Sequence, residues 1–286
     1  MINENASKSK TVAAIQVGPG PDPQANIERC VELINVAADQ GVNLACFPEL
    51  AHLPWFPAQI DERGFELAQP LDGPAISAIR EAAQQRGVAV VFPFFERDGE
   101  RCYNSTALID EHGEVRGVYR KLHVPQLPRW EERHYFSAGD NGFVLAQLAG
   151  LRVGVQVAWD NLFPEGCRAL ALAGAELIVA PTANCGESHD LWLRAISANA
   201  LFNGVYVLRV NRVGGAPEQH FYGRSFLVDP YGDLAGQEAG EAEGLMLGEL
   251  HREALVLIRR EFPLLRDRRP DQYAAICDNQ DQEPPE

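Results

Sequence analysis

Apolar and polar positions along this chain switch between two periods. Thr11 to Val17 is a short apolar run ended by a Gly/Pro turn, and Asp22-Pro23 then supplies a helix N-cap with proline at the first helical position. Ile27, Cys30, Val31, Ile34 and Ala38 recur at helical spacing until Gly41, after which Val42 to Phe47 is apolar again. The alternation returns as a helix over Pro74 to Arg86, stopped by Gly87, before a strand over Val88 to Phe95. A third round predicts a helix over Gly166 to Leu172, a stop at Gly174 and a strand over Glu176 to Ala180. Two hairpins are expected between and after these rounds. One pairs Tyr103 to Ile109 with Glu114 to Leu122 across Asp110-Glu111-His112-Gly113. The other pairs Phe221 to Val228 with Leu245 to Glu249 across Asp229-Pro230-Tyr231-Gly232 and a Gly/Glu-rich loop. Helices after parallel-type strands, mixed with hairpins, predict an α/β protein with mixed sheets, and the pattern alone also permits one doubly wound sheet.

Composition narrows the function classes. At 286 residues and 46% hydrophobic content the chain can bury a sizeable core. A net charge of −15 argues against nucleic acid or an anionic membrane surface as a partner, since both require a basic face. No apolar run approaches the roughly 20 residues that span a bilayer, and Met1 to Lys10 lacks the apolar core of a signal peptide. Residues 1–10 read as a disordered lead and 278–286 as an acidic tail, around one domain over 11–277. Six scattered cysteines without a CxxC pair suggest reduced thiols in a cytoplasmic protein. The seven histidines show no HxxxH or HxH spacing, so no metal or other cofactor is expected.

Three short segments carry the candidate chemistry. Glu49 ends Cys46-Phe47-Pro48-Glu49-Leu50, at the close of an apolar strand. Burial of a carboxylate disfavours its charged form, which suits a general base working near neutrality, although a surface acid is as compatible with four residues taken alone. Lys121 ends a strand in which Val115, Gly117, Tyr119 and Lys121 share one face and Arg116, Val118 and Arg120 the other. A lysine there ordinarily snorkels to water; on the face with the smaller charge load it can also point inward. The third segment, Val157-Ala158-Trp159-Asp160-Asn161-Leu162-Phe163-Pro164-Glu165, puts a strand end against a turn, the place for a strained elbow that exposes a nucleophile. Alanine has no atom able to attack.

Phe-Pro-Glu-Leu, then Tyr-Arg-Lys-Leu-His-Val-Pro at 119–125, then Val-x-Trp-Asp-x-x-Phe-Pro-Glu at 157–165, resembles the nitrilase or carbon–nitrogen hydrolase superfamily. The resemblance covers roughly Thr11 to Ile276 and implies a four-layer αββα sandwich with two mixed sheets, dimerising through helices. It implies Glu49 as base, Lys121 as oxyanion-stabilising cation, and Glu132, two residues after Trp130, as a second glutamate that orients the lysine and substrate. The family's catalytic cysteine falls on Ala158, so the chain looks like an amidase without its nucleophile. Trp55, Trp130 and Trp159 would wall the pocket, and Asn184 would face substrate, although Trp55 is equally compatible with ordinary core. Cys167 and Cys185 are the thiols that could stand in for the missing one; Cys30 and Cys46 read as core.

Asp160, Arg212-Val213-Gly214, Phe221 to Phe226 and Asp267-Arg268-Arg269-Pro270 are most similar to the amidase branch acting on N-carbamoylputrescine. The chain departs from that branch at Gln126-Leu127-Pro128-Arg129 and over the shorter segment Asn184 to Trp192. The resemblance implies hydrolysis of a non-peptide C–N bond, in an amide or N-carbamoyl amine, through a Glu-Lys-Cys thioester mechanism, inactive as written because Ala158 reads as an engineered Cys→Ala replacement that traps substrate. Alternatives of other classes are a natural non-catalytic binding protein with the same pocket, a nitrilase acting on nitriles, and an enzyme using water directly with Glu49 as base.

Overall fold

The structure, a computed structural model, describes residues 9–277. The expected lead therefore lies outside the described residues except for Ser9 and Lys10, and the expected acidic tail lies wholly outside them. Lys10 already opens the first strand.

In chain order, β1 (Lys10–Gln16) is followed by α1 (Pro23–Asp39), β2 (Leu44–Cys46), α2 (Pro74–Arg86), β3 (Ala89–Asp98), β4 (Arg101–Ile109), β5 (Val115–Arg120) and the one-turn α3 (Glu132–Tyr135). Then come β6 (Leu145–Leu148), β7 (Leu151–Val155), α4 (Pro164–Leu172), β8 (Leu177–Thr182), α5 (His189–Asn203) and β9 (Tyr206–Asn211). A short ladder of β10 (Val213–Gly214) and β11 (Phe221–Tyr222) precedes β12 (Phe226–Val228), β13 (Gly244–Leu250) and α6 (Arg252–Glu261). The caps are those the local sequence dictates. Asp22 Oδ1 accepts from the backbone of Gln24 at 2.9 Å, and Gly87 closes α2 at φ +63°.

Two sheets result, in the orders β13-β1-β2-β3-β4-β5 and β12-β9-β8-β7-β6. Each is parallel at its centre (β1-β2-β3 and β7-β8-β9) and antiparallel toward its edges. The pleat decides the layers. Val12 and Ala14 of β1, Leu44 and Cys46 of β2, and Tyr119 of β5 face Val153, Leu177, Val179 and Leu208 of the other sheet. The alternate residues Ala13, Ile15, Val90 and Phe92 pack on Ile27, Ile34, Ile76 and Ile79 of α1 and α2. On the far side Ile178, Ala180 and Val207 meet Leu170 of α4 and Ile196 and Ala200 of α5. The molecule is a four-layer αββα sandwich with two mixed sheets. No helix among the described residues is long and apolar enough to cross a membrane.

The second expected hairpin does not form. β12 pairs with β9, Phe226 opposite Arg209, whereas β13 pairs with β1, Leu250 opposite Lys10, so the two segments lie in different sheets. A long Gly/Glu-rich connection imposes no turn geometry that would hold neighbours together, so partner choice passes to the core. Gln16 then pins the connection, its side-chain amide donating to Gly240 O at 3.0 Å and Ala242 O at 2.8 Å. The reading of periodicity also assigns no element to α5, which carries Leu191, Trp192, Leu193, Ile196, Leu201 and Phe202 on several faces. A helix apolar nearly all round has no periodic stripe to read.

His52 is a liability of this packing. Its ring is fully buried against Phe92, with centroids 5.6 Å apart, and neither nitrogen has a hydrogen-bond partner. Burial lowers its pKa from 6.5 to about 3, so the folded chain holds it neutral where the unfolded chain protonates it. The unfolded state binds the extra proton between these two values, so stability is undiminished above 6.5 and falls as pH drops toward 3. We expect His52→Leu to flatten the acid limb of denaturant-measured stability by about 1.4 kcal/mol per pH unit within that window. An unchanged acid limb in that variant would count against a buried neutral imidazole.

Candidate active site

The site lies at the strand ends where the two sheets meet. After β2 the chain runs through Phe47-Pro48-Glu49, and Leu50 then takes φ +50°, a left-handed conformation that costs a non-glycine residue about 1–2 kcal/mol. Lys121 continues β5, its N–H donating to Asn104 O at 2.9 Å, and alternation sends its side chain to the same side as Tyr119, toward the second sheet. Glu132 opens α3, while its neighbour Glu131 is half-buried.

These three side chains converge. Lys121 Nζ donates to Glu49 Oε1 at 2.8 Å and to Glu132 Oε2 at 2.6 Å, and Asn104 Nδ2 donates to Glu49 Oε1 at 2.8 Å. All four residues are only 1% exposed. Burial pushes the Lys121 pKa down, but the two carboxylates outweigh it and hold the ammonium firmly charged. Burial and the neighbouring Glu49 raise Glu132 to about 7 against the pull of Lys121. An ammonium has three donors; two are used on the carboxylates, which leaves one for a ligand.

Ala158 sits beside this cluster at φ +41°, opening a 3-10 turn over Ala158–Leu162. A backbone held in a sparsely populated region needs surroundings that over-determine it, and Asp160 supplies them. Its fully buried carboxylate accepts from Val157 N at 3.0 Å, His123 N at 2.9 Å and Tyr119 OH at 2.8 Å, and contacts His123 Nδ1 at 2.8 Å. Asn161 Nδ2 donates back to Gln156 O at 2.8 Å and Ala158 O at 3.0 Å. Gln156 Nε2 donates to Asp160 O at 3.1 Å across Gly166, where a Cβ would lie 2.3 Å from that nitrogen. The elbow at 158 is thus built, whatever side chain occupies it.

Glu49, Lys121, Glu132 and Ala158 line a cavity of about 200 Å³ together with Trp130, Trp159 and Asn184. Leu127, from the departing segment 126–129, and Ser188, Leu191 and Trp192, from the shorter segment 184–192, also line it, the last two on α5; Leu162 was not singled out in the sequence. Trp55 is a correction. It lies in a separate cleft with Arg129, Arg212 and Phe221, its Nε1–H donating to Arg129 O at 3.1 Å and its ring packed edge-on against Phe221 of β11, while the next residue, Phe56, turns the other way onto Phe95. Cys185 lines the cavity, whereas Cys167 is buried under α5 with Sγ 3.5 Å from Asn199 O, its thiol pushed up to about 12 by burial. Cys30 and Cys46 are core residues whose thiols burial also pushes up.

A buried lysine thus stands between two carboxylates beside a strained strand-end elbow in an αββα sandwich. Residues 11–260 match the carbon-nitrogen hydrolase family model, and the chain belongs to that family of enzymes. It is 34% identical over 282 residues to an N-carbamoylputrescine amidase of Solanum lycopersicum, covering 93% of this chain and 94% of that one. The crystal structure of a carbon-nitrogen hydrolase from Helicobacter pylori G27 superposes with a TM-score of 0.89 at 27% identity, covering 95% of this chain and 99% of that one. A cysteine-to-alanine mutant of the amidase from Nesterenkonia sp. AN1, in complex with butyramide, superposes with a TM-score of 0.78 at 28% identity, covering 96% and 99%.

Proposed function

We propose that this site binds a small carboxamide or N-carbamoyl amine and that its chemistry is a Glu-Lys-Cys acyl transfer halted by the alanine at 158. The observation that carries the reading is Lys121 Nζ held between Glu49 and Glu132 beside the left-handed Ala158. With a thiol on residue 158, Glu49 takes its proton as sulfur attacks the carbonyl carbon, and the electron pair of the C=O bond moves to oxygen. The remaining N–H of Lys121 and the backbone N–H beside the nucleophile stabilise that oxyanion. Collapse expels the amine, which leaves with the proton from Glu49. Water, deprotonated by Glu49 in turn, attacks the thioester and releases the acid and the thiol. Glu132 holds the lysine in place. In the chain as written the sequence stops at binding.

We read Ala158 as a Cys→Ala replacement introduced to hold substrate uncleaved. Glu49, Lys121 and Glu132, the groups that would activate a thiol and stabilise its oxyanion, all remain assembled beside residue 158, which supports that reading. The genomic codon at this position decides it.

Binding is tested by thermal shift with carboxamides, N-carbamoyl amines and N-carbamoyl amino acids, and with nitriles and simple amines for comparison. A ligand at about one hundred times its Kd adds about 2.7 kcal/mol of stability. We expect at least one amide or carbamoyl compound to raise the melting temperature by several degrees; shifts by nitriles or amines alone would overturn the reading.

A further inference from the structure

Arg209 heads the fully buried large side chains of the described residues, and nothing in the acyl-transfer chemistry uses it. It projects from β9 beneath α5, its guanidinium carbon 5.5 Å from the ring centroid of Trp192 and 5.3 Å from that of Tyr222. Its Nη2 donates to Tyr222 OH at 2.8 Å and to Asn184 Oδ1 at 3.3 Å, while Nε and Nη1 have no partner. No carboxylate among the described residues pairs with it. Glu238, the acid in its vicinity, is engaged by Arg224 at 3.0 Å and His189 at 3.1 Å. Burial lowers the Arg209 pKa to about 10, which leaves it charged at neutral pH.

That charge reaches the cavity through Asn184. A guanidinium only donates, so the Asn184 amide turns Oδ1 toward Arg209 and keeps its NH2 group, which bonds to no protein atom, for the cavity that Asn184 lines. Tyr222 OH, once it accepts from Arg209, has its own proton to give to Ser188 Oγ 3.4 Å away, and Ser188 Oγ donates to Cys185 O at 3.1 Å. The Asn184 NH2 group is therefore the free donor on this wall, backed by a guanidinium that has no carboxylate partner among the described residues. The carboxylates lining the cavity are Glu49 and Glu132; each already gives an oxygen to Lys121, and burial and Glu49 raise Glu132 to about 7. A ligand ammonium would have to compete with Lys121 for them.

We propose that Arg209, acting through Asn184, selects the substrate tail by charge, so that the site takes an amide or N-carbamoyl compound bearing a carboxylate and rejects one bearing an ammonium. The proposal rests on reading the cavity as an amide site. Arg209 is a positioning residue in it: the bound carboxylate meets the Asn184 amide and serves as the counter-ion that the fold does not provide.

The chain with Ala158 is itself the reagent, since it leaves carbamoyl compounds uncleaved. N-carbamoyl-4-aminobutyrate, N-carbamoylbutylamine and N-carbamoylputrescine are titrated calorimetrically; they share one reacting group and differ in tail charge. We expect the carboxylate compound to bind about tenfold or more tightly than the ammonium compound, with the neutral one between them. Asn184→Asp, isosteric and anionic beside Arg209, should reverse that order, and Arg209→Met should collapse it. The Asn184→Asp result carries the test if Arg209→Met does not fold. An ammonium compound bound as tightly as the carboxylate one, or an order unchanged by Asn184→Asp, overturns the proposal. Three compounds bound alike leave the amide site standing and refute the charge selection. Binding of none refutes the amide site and this inference with it.

Discussion

The Ala158→Cys substitution is expected to convert a binding protein into a catalyst, the largest single change foreseen for this chain. The elbow is already formed: residue 158 is left-handed at φ +41°, Asp160 and Asn161 hold the turn, and Glu49 and Lys121 line the same cavity. On the proposed mechanism, what is missing is one sulfur atom. Loss of the nucleophile in hydrolases that act through a concerted set of residues costs on the order of a millionfold in turnover, so a gain of that order is the ceiling and about ten-thousandfold a reasonable floor. Release of ammonia or amine from a carboxamide or N-carbamoyl amine measures it. Turnover by the Ala158 protein that survives replacement of both Cys167 and Cys185 would defeat a cysteine-dependent mechanism. Of those two, Cys167 lies outside the cavity and Cys185 lines it, so replacing Cys185 is the sharper control.

Lys121→Met should produce the second large effect, this time on stability. The ammonium is the cation paired with both Glu49 and Glu132, at 2.8 and 2.6 Å, and all three are buried. Removing one partner from a buried ionic cluster leaves the others desolvated and unpaired, at a cost of about 3–5 kcal/mol. For a chain of this length that lowers the melting temperature by on the order of 10 °C. Adding Glu49→Gln and Glu132→Gln to Lys121→Met should recover part of the loss, because neutral amides cost less to bury. Thermal melts of the single and triple variants check this, and a single variant melting within about 1 °C of its parent would show the cluster to be hydrated rather than buried. In the Ala158→Cys background, Lys121→Met and Glu49→Gln should each also abolish acylation, the first through the oxyanion and the second through the base.

Glu49, Lys121, Glu132 and position 158 were singled out in the sequence by motifs that resemble the carbon–nitrogen hydrolase superfamily, and the structure brings the three side chains together beside residue 158. Tyr119 and Lys121 share a strand face by pleat alone, and the strained elbow at Ala158 follows from an apolar strand running into an Asp-bearing turn. Glu132, rather than Glu131, reaches the lysine, a choice between neighbours that the turn into α3 makes in space.

Trp55 was misplaced for the opposite reason: its motif neighbour Glu49 belongs to the cavity, but a loop of several rotatable residues separates the two, and the aromatic packing of Phe221 draws the indole away. Arg209 escaped notice because an arginine inside an apolar strand has no local signature of function. Its meaning lies in Asn184, Tyr222 and Trp192, brought to it by β8, β11 and α5.

What the chain determines by itself, then, is the sequence of elements and the local conformations at their ends, since caps, left-handed turns and pleat alternation are governed by contacts between residues a few positions apart. Only the tertiary structure decides that β12 joins β9 while β13 crosses to β1, that two carboxylates share one lysine, and that an unpaired guanidinium stands behind the Asn184 wall. Such pairings join residues far apart in the chain, and their choice depends on the summed burial of whole faces, a quantity that no short window of sequence contains.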